Sequence, residues 1–400
     1  MLGFSTRRLP AFTTAVATAV ATAVATLSMF VVAAPTSTAA TPALSLSIPD
    51  PAPDVAPGTL LGSVPIPGGG PLGAKAYRVV YASRSISGAP IAVTGFAYVP
   101  PGPAPKGGWP VLSYAHGTVG LADRCAPSRK PGAAEQFIGL SFIGLGMAVV
   151  ATDYEGLGTP GRHPYIVGES EGRGVLDIAR AARQLPSESM SARTLIWGHS
   201  QGGHAALFAG QLASSWAPDL KLLGVVAGAP PSQLTTVADS ISTSPYRGYL
   251  FMVAAGLAAA NPSLNLGDVL TEKGQQLLPV VDTGCNAEVF RAFSADPLDA
   301  LVKRDGFRSG PWASALQANE PGNVRIPAPV LIVHGDRDEQ IPVATSAKLL
   351  SRMCAARTRT RRVVYPGQDH TGAAIVSLFD VISFARDRLD GKVAKSSCRR

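Results

Sequence analysis

A serine flanked by glycines is the strongest chemical signal in the chain. Residues 194–203 read TLIWGHSQGG, an apolar run leading into Ser200 with Gly198 and Gly202 on either side, and the apolar residues 205–209 follow in a helical pattern. A strand-to-helix turn that exposes a nucleophile needs such glycines, because it forces the serine into a rare backbone conformation and leaves no room for flanking side chains. The segment predicts that Ser200 is a nucleophile; the alternative is an ordinary glycine-rich turn.

A serine hydroxyl reacts well only when a base takes its proton and an acid orients that base. His370 is the expected base, because it lies in a loop between a predicted strand at 361–365 and a predicted helix at 373–389, and it follows the nucleophile in the chain. The other five histidines lie before or beside the nucleophile, or directly before the acid loop: His116, His163, His199, His204 and His334. The alternative for His370 is a surface loop histidine.

Three carboxylates follow the predicted buried strand at 330–333 and compete for the role of the acid: Asp336, Asp338 and Glu339. Asp338 is preferred, because the third residue after Gly335 is where this turn directs a carboxylate toward the histidine loop. Asp336 is better suited to hydrogen-bonding the turn itself, and Glu339 is the weakest candidate. The chain order Ser200, Asp338, His370 resembles that of α/β-hydrolases rather than that of the chymotrypsin or subtilisin types.

A tetrahedral intermediate also needs amide donors for its oxyanion. The backbone N–H of Gln201 is one expected donor, because it opens the helix after the nucleophile, where backbone dipoles favour negative charge. The second donor is expected at the end of the early strand 111–115, from Thr118 with Gly117 as a close alternative. A simple strand-exit turn is the other interpretation of this segment.

Three glycines after the predicted strand 147–152 fit the G-x-G-x-x-G pattern of dinucleotide-binding proteins: Gly156, Gly158 and Gly161. Their context argues against that function, because Pro160 and Pro164 prevent a helix from starting where a pyrophosphate would need one. The chain also lacks a phosphate loop with a terminal lysine and a His-Glu-x-x-His site. We therefore expect no cofactor and no metal.

The first 40 residues are typical of a signal peptide. Arg7 and Arg8 form a basic start, residues 11–34 are rich in Ala, Val and Thr, and residues 38–40 offer a small-residue cleavage site. This pattern predicts export with cleavage, and a retained membrane anchor is the alternative. Because no second apolar span of membrane length follows, we expect no stable membrane span after cleavage.

Four cysteines in an exported chain indicate two disulfides. Cys125, Cys285, Cys354 and Cys398 lie far apart and form no C-x-x-C motif, which makes zinc binding and thioredoxin chemistry improbable. Spacing alone leaves all three connectivities open.

The formal net charge of +8 falls to +6 once Arg7 and Arg8 are removed. Much of the excess lies at 352–362 and 392–400, and neither run contains the interleaved aromatic residues of a nucleic-acid surface. We expect no nucleic-acid partner, and interpret these runs as solvated surface that can attract anionic interfaces.

The pattern of apolar runs indicates an α/β fold. Residues 41–74 are rich in Pro and Gly and predict an extended arm, and residues 75–85 and 91–100 alternate as an antiparallel hairpin. Runs of buried-strand length follow, with helical patterns between several of them, at 111–115, 147–152, 194–197, 222–227 and 330–333. This predicts a doubly wound, mainly parallel sheet with a core at 75–227 and 324–400.

The alternation stops over residues 228–323, where helical patterns such as 249–260 occur without a clear strand. We interpret this stretch as a helical cap inserted in the core. Residues 249–255 read YLFMVAA and could line an acyl pocket, or could equally be an ordinary helix core.

Three segments together resemble the secretory lipase family in its bacterial branch. They are residues 153–158 (DYEGLG), residues 125–128 (CAPS) and residues 198–203 (GHSQGG). The resemblance implies an α/β-hydrolase core with a helical lid over an acyl tunnel. It also implies a secreted lipase or esterase that cleaves triacylglycerols and simpler esters, at a lipid–water interface and without a cofactor.

The same resemblance implies the disulfide pairing Cys125 with Cys285 and Cys354 with Cys398. One departure concerns the first oxyanion position, where the family's yeast enzyme carries an acidic residue and this chain reads His116-Gly117-Thr118.

Three other functions remain open at this point. An acyltransferase or a peptidase would share the triad and differ only in its acceptor, and a non-catalytic surface or binding protein could keep the fold. Within the ester hydrolases, the sequence supports a short-chain esterase and a true lipase about equally.

Overall fold

The computed structural model describes residues 46–398, so the predicted signal peptide at 1–40 lies outside the described residues. Its centre is a nine-stranded sheet. The strands are β1 (Leu60–Pro65), β2 (Lys75–Arg84), β3 (Pro90–Val99), β4 (Trp109–Ala115), β5 (Ala148–Thr152), β6 (Met190–His199), β7 (Lys221–Gly228), β8 (Val330–Gly335) and β9 (Thr360–Tyr365).

The sheet has the order β1-β2-β3-β5-β4-β6-β7-β8-β9. The pairs from β1 to β5 are antiparallel, and all pairs from β5 through β4 to β9 are parallel. β2 and β3 pair from Lys75 with Val99 to Arg84 with Pro90, which forms the expected hairpin. The predicted fold class, a doubly wound and mainly parallel sheet of the α/β-hydrolase type, is confirmed.

One strand went unrecognised within the predicted extended arm. Residues 60–65 form the edge strand β1, which pairs with β2 from Leu60 opposite Tyr81 to Pro65 opposite Tyr77. An edge strand uses its backbone on one side only, so it tolerates the Gly and Pro residues that argued against a strand.

Twelve α-helices lie within the described part of the chain. They are α1 (Ala133–Ile143), α2 (Gly168–Ala182), α3 (Gln201–Trp216), α4 (Leu234–Ser242), α5 (Gly248–Ala260), α6 (Glu272–Leu277), α7 (Val280–Thr283), α8 (Asn286–Ser294), α9 (Gly310–Ala318), α10 (Val343–Ala355), α11 (His370–Val376) and α12 (Leu378–Leu389). Buried residues of α2, α3 and α10 pack on one face of the sheet, and those of α1 and α12 pack on the other. Across residues 46–398, no helix combines the length and hydropathy that crossing a bilayer requires.

Helices α4–α9, here called the cap helices, lie between β7 and β8 and have an apolar core of their own. Phe251 of α5 stacks on Phe293 of α8 with ring centroids 3.6 Å apart. The predicted helix at 249–260 corresponds to α5. Because these helices share a core that is separate from the two layers on the sheet, their position depends on side-chain packing rather than on strand pairing.

Two disulfides fasten distant segments. Cys125, in the loop after β4, bonds to Cys285 at the start of α8, and Cys354 of α10 bonds to Cys398 in the C-terminal tail. The pairing implied by the family resemblance is therefore confirmed. The first bond joins the sheet side of the molecule to the cap helices, and the second holds the tail.

Candidate active site

Ser200 lies in a sharp turn between β6 and α3, with φ 58° and ψ −125°. A Cβ atom on Gly202 would lie 1.9 Å from the carbonyl oxygen of Ala115, and one on Gly198 would lie 2.1 Å from that of Gly202. No side chain fits at either position, so the glycines allow the helix to start directly against β4. The turn is fixed by the N–H of Ser200, which donates to the carbonyl of Gly228 at 2.8 Å.

The candidate acid and base come together at the carboxyl edge of the parallel strands. Asp338 follows β8, His370 follows β9, and the distance from Asp338 Oδ2 to His370 Nδ1 is 2.7 Å. Gly335 makes this approach possible, because a Cβ atom there would lie 2.2 Å from the carbonyl oxygen of Gln368. The acid loop and the histidine loop thus touch through their backbones.

The other two carboxylates have different partners. Asp336 accepts a hydrogen bond from the N–H of Gly367 at 2.6 Å, and Glu339 accepts one from the backbone N–H of His370 at 3.2 Å. Both therefore shape the histidine loop. Of the three candidates, Asp338 is the one whose carboxylate reaches the imidazole.

Asp338 is held as a carboxylate by its neighbours. Its Oδ1 accepts from the backbone N–H groups of Gln340 and Ile341 at 2.9 and 2.7 Å, and its Oδ2 lies 3.2 Å from His334 Nε2. Burial by itself would raise the pKa of the Asp338 carboxyl, but the hydrogen bonds from His334, His370 and the backbone outweigh it and hold that pKa below its usual value.

His370 is the first residue of α11 rather than part of a loop, which corrects the predicted helix start at 373. Asp369 caps this helix, since its side chain accepts from the N–H of Gly372 at 2.6 Å. The cap starts the helix earlier than the apolar pattern indicated. A short break then separates α11 from α12.

His370 lies beside the nucleophile turn. Its ring centroid is 4.7 Å from that of His199, the residue before Ser200. Among residues 46–398, no hydrogen bond joins the Ser200 hydroxyl to the His370 ring; such bonds are often long without substrate. Burial and the neighbouring His370 lower the pKa of His199 to about 3, so His199 stays uncharged near neutral pH.

The predicted oxyanion donors border the same turn. A Cβ atom on Gly117 would lie 3.9 Å from Ser200 Cβ, so the loop after β4 passes next to the nucleophile. The backbone N–H groups of Gln201, Thr118 and Gly117 donate to no protein acceptor in the described range. Thr118 is held by its hydroxyl, 2.7 Å from that of Tyr165. The backbone N–H groups of Thr118 and Gly117 therefore both remain candidates for the second oxyanion donor.

A buried polar cluster beneath Gln201 was missed from the sequence. Glu171 of α2 is 0 % exposed and accepts hydrogen bonds from Gln201 Nε2 at 2.8 Å and the N–H of Ile166 at 3.0 Å. It also lies 3.1 Å from His204 Nδ1, and His163 Nε2 lies 2.9 Å from Gln201 Nε2. The sequence patterns predicted no role for His163 or His204, because no regular spacing links either residue to Glu171.

Two of the three segments that carried the family resemblance contact each other. Asp153 accepts from the N–H of Ser128 at 2.8 Å and from the hydroxyl of Thr94 at 2.6 Å, which joins residues 153–158 to residues 125–128. Gly158 has φ 77°, and its N–H donates to Asp123 at 2.9 Å. The glycines of this G-x-G-x-x-G segment thus serve a tight loop.

Ser200 opens into a narrow apolar cavity with an empty volume of about 540 Å³, its mouth included. Tyr165 and Ile166 form part of its wall, together with side chains of α4 and α5. Within residues 249–255, both interpretations apply, at different positions. Tyr249, Leu250 and Val253 line the cavity, and the other four side chains are buried in the core of the cap helices.

Between residues 46 and 398, no group of three His, Cys, Asp or Glu residues is placed to hold a metal ion.

The sheet, the turn at Ser200 and the acid–histidine pair at the carboxyl edge define the class of α/β-hydrolases. A model of the family described as Secretory lipase matches residues 133–397. The chain belongs to this family, as its motifs indicated, and is thus a member of a family of ester hydrolases.

Individual relatives are distant. Lipase A of Moesziomyces aphidis is 26 % identical over 352 residues, which cover 81 % of this chain and 74 % of that protein. A Mycobacterium tuberculosis protein named "Probable inactive lipase" is 28 % identical over 286 residues, covering 67 % of this chain and 63 % of its own length. The X-ray structure of Candida antarctica lipase A in its closed state is similar in fold, with a TM-score of 0.72 at 24 % identity, covering 86 % of this chain and 84 % of that one.

Proposed function

We propose that this chain is an exported serine ester hydrolase that cleaves acylglycerols and simpler esters through an acyl-enzyme on Ser200. One observation carries the proposal: the serine in the strained turn opens into an apolar cavity, and the Asp338–His370 pair lies beside that turn. Membership of the Secretory lipase family and the similarity to a protein named Lipase A support it.

In the proposed mechanism, His370 Nε2 accepts the proton of Ser200 as Oγ attacks the ester carbonyl. Asp338 keeps the proton on Nδ1, since its oxygen lies 2.7 Å from that atom, and stabilises the imidazolium that forms. His370 then donates its proton to the departing alcohol. A water molecule then gives a proton to His370 Nε2 as its oxygen attacks the acyl carbonyl, the bond from that carbonyl to Ser200 Oγ breaks, and His370 returns the proton to Oγ as the acid leaves.

The tetrahedral oxyanion is stabilised by the N–H of Gln201 and by that of Gly117 or Thr118. Each such donor typically contributes about 2.7 to 4 kcal/mol to transition-state stabilisation. The unoccupied N–H groups of these residues support the assignment. Uncharged His199 places no second positive charge beside the imidazolium.

The acyl chain occupies the apolar cavity beneath the cap helices, and the stretch 228–323 acts as the lid. Burying each methylene there contributes about 0.8 kcal/mol. Export through the signal peptide at 1–40 is supported by the family's description and by the two disulfides, which persist in oxidising compartments. The substrate is reached at a lipid–water interface, without a nucleic-acid partner or a cofactor.

The test is hydrolysis of p-nitrophenyl esters from acetyl to palmitoyl by the purified mature protein, with Ser200→Ala alongside. We expect turnover that falls by about 10⁴-fold or more in the variant, because the acyl-enzyme cannot form. Ser232→Ala, which removes a buried hydroxyl from the loop after β7, is the matched control and should keep its activity.

Serine-dependent transfer to an added alcohol or amine in preference to water would favour the acyltransferase, and cleavage of amides alone would favour the peptidase. Absence of serine-dependent turnover on every ester would overturn the hydrolase. It would favour the non-catalytic role, consistent with the name of the Mycobacterium tuberculosis relative.

A further inference from the structure

Three side chains separate the acyl cavity from a second cleft. Ser200 lines the inner cavity, and an outer cleft with an empty volume of about 800 Å³ lies beside it among the cap helices and the loop at 298–308. Ala238, Leu250 and Phe307 line both. The inner cavity therefore meets the outer cleft at these residues, which we call the partition.

The two sides of the partition differ in chemistry. The inner cavity is apolar over nearly all of its wall. The outer cleft combines apolar side chains with six charged residues, which are Asp239, Asp299, Lys303, Arg304, Asp305 and Arg308. An acyl chain gains free energy by leaving water for the inner cavity, and it gains less where it meets the charged groups of the outer cleft.

Phe307 is the largest member of the partition and is buried, although the turn that carries it is short. It lies in a three-residue 3₁₀ turn, Gly306–Arg308, and its ring meets the ring of Trp312 edge-on with centroids 5.7 Å apart. Next to it, Arg308 Nε donates to Asp239 Oδ1 at 2.8 Å, which ties the turn to α4. Both partners of this ion pair are substantially exposed, so it stabilises the turn weakly.

We propose that Phe307 sets the upper limit of acyl chain length for this enzyme. The inference rests on the proposed function and adds its specificity: chains that end before the Phe307 ring bind fully within the apolar cavity, and longer chains must displace the ring. Each methylene that is buried rather than exposed changes the specificity constant by about fourfold, so the limit is expected to be steep.

The test is the ratio of kcat/KM for p-nitrophenyl palmitate to that for the butyrate ester. Phe307→Ala should raise the ratio tenfold or more, because the space of the lost ring accepts several methylenes, and Phe307→Leu should give a smaller rise. Phe293→Ala is the matched control, since this buried cap phenylalanine lines neither cavity and reports general loosening of the cap helices. An unchanged ratio in Phe307→Ala, or an equal rise in Phe293→Ala, overturns the proposal.

A second measurement separates this proposal from the catalytic one. In a Ser200→Ala background, calorimetry compares the affinities for palmitate and octanoate, and Phe307→Ala should raise the palmitate-to-octanoate ratio. If the wild type hydrolyses no ester but Phe307→Ala raises the palmitate-to-octanoate affinity ratio, the role of Phe307 is supported and the proposed hydrolase activity is contradicted. If the wild type cleaves esters but Phe307→Ala changes neither the kcat/KM ratio nor the affinity ratio, only the role of Phe307 is contradicted. Should Phe307→Ala not fold, Ala238→Leu tests the same residues in the opposite direction and must shift the preference toward shorter chains.

Discussion

The two sides of the candidate site are built by different forces. The rim, formed by the loops after β4, β6, β8 and β9, is ordered by backbone hydrogen bonds and by glycines that permit contacts no side chain would allow. The roof, formed by α4, α5 and the turn Gly306–Arg308, is ordered by apolar packing. We therefore expect the rim to hold the proposed reacting groups in fixed positions, and the roof to tolerate changes of shape with less effect on the proposed chemistry.

The largest loss of activity is expected from a substitution of the candidate acid of the rim, Asp338. Asp338→Asn is expected to lower kcat by about 10³- to 10⁴-fold, because an amide favours the wrong tautomer of His370. Asp336→Asn is the matched control and should keep most of the activity, since within residues 46–398 the Asp336 side chain hydrogen-bonds only the backbone N–H of Gly367. Both are measured on the butyrate ester. Equal losses in the two variants would contradict the choice of Asp338.

The next effect concerns the disulfide that joins the rim, at Cys125, to the cap helices, at the start of α8. Replacing Cys125 and Cys285 by serine removes a bond that closes a 160-residue separation, and should cost about 2 to 5 kcal/mol of unfolding free energy. Activity should also fall several-fold, because the neighbouring Asn286 donates to the carbonyl of Thr118 and so holds the loop after β4, which carries the proposed oxyanion donors.

The tail bond between Cys354 and Cys398 is the control for this prediction. It spans 44 residues, and its removal should lower the unfolding free energy by a smaller amount and leave kcat unchanged. Urea unfolding and ester hydrolysis measure the two quantities. A loss of kcat in the tail variant would show that neither bond acts specifically on the rim.

The contrast between rim and roof also marks what the sequence could predict. Short apolar runs located β4 to β8, and the glycines around Ser200 pointed to the turn, because local sterics decide both. The apolar run of β8 predicted the acid loop that follows it. The contact between Gly335 and Gln368, which brings this loop to His370, could not be predicted because it depends on the order of the strands in the sheet. No sequence pattern predicted that Tyr165 and Ile166 line the cavity, because Ile166 adopts φ 60°, a backbone conformation that β-branched residues disfavour.

A smaller effect should come from the buried polar cluster beneath Gln201. Glu171→Gln is expected to lower kcat by about tenfold with little change in KM, because Gln201 loses the carboxylate that positions it near the oxyanion. Glu135→Gln is the control, since this buried glutamate of α1 accepts from the N–H of Gly132, the residue before that helix, away from the site. A change in KM alone, or equal losses of kcat in both variants, would assign Glu171 a merely structural role.

The smallest effect is the pH dependence of stability that His163 confers. Burial lowers the pKa of His163 to about 4, despite the opposing charge of Glu171 and the contact with the Glu155 carbonyl, and nearby His116 lowers it further. Because the unfolded chain binds a proton near pH 6.5 and the folded chain does not, this residue makes stability fall as pH drops from 6.5 toward 4.

His163→Gln should therefore flatten the pH dependence, with a difference of about 1 kcal/mol between pH 8 and pH 6. Urea unfolding at the two pH values measures it, in the Ser200→Ala background so that activity plays no part. His199 is buried with a lowered pKa as well and keeps its share of the slope in both proteins. A steeper slope in the variant would contradict the assignment.

The disulfide between Cys354 and Cys398 has a practical consequence for attaching the protein to a support. The tail runs along the start of β9, where the N–H of Ser397 donates to the carbonyl of Thr360 at 2.7 Å. That start is the amino edge of the parallel strands, whereas Ser200 follows the carboxyl end of β6. A resin, a display anchor or a fusion partner linked through the tail would therefore hold the molecule by the end remote from its cavity, leaving the entrance oriented toward the solution.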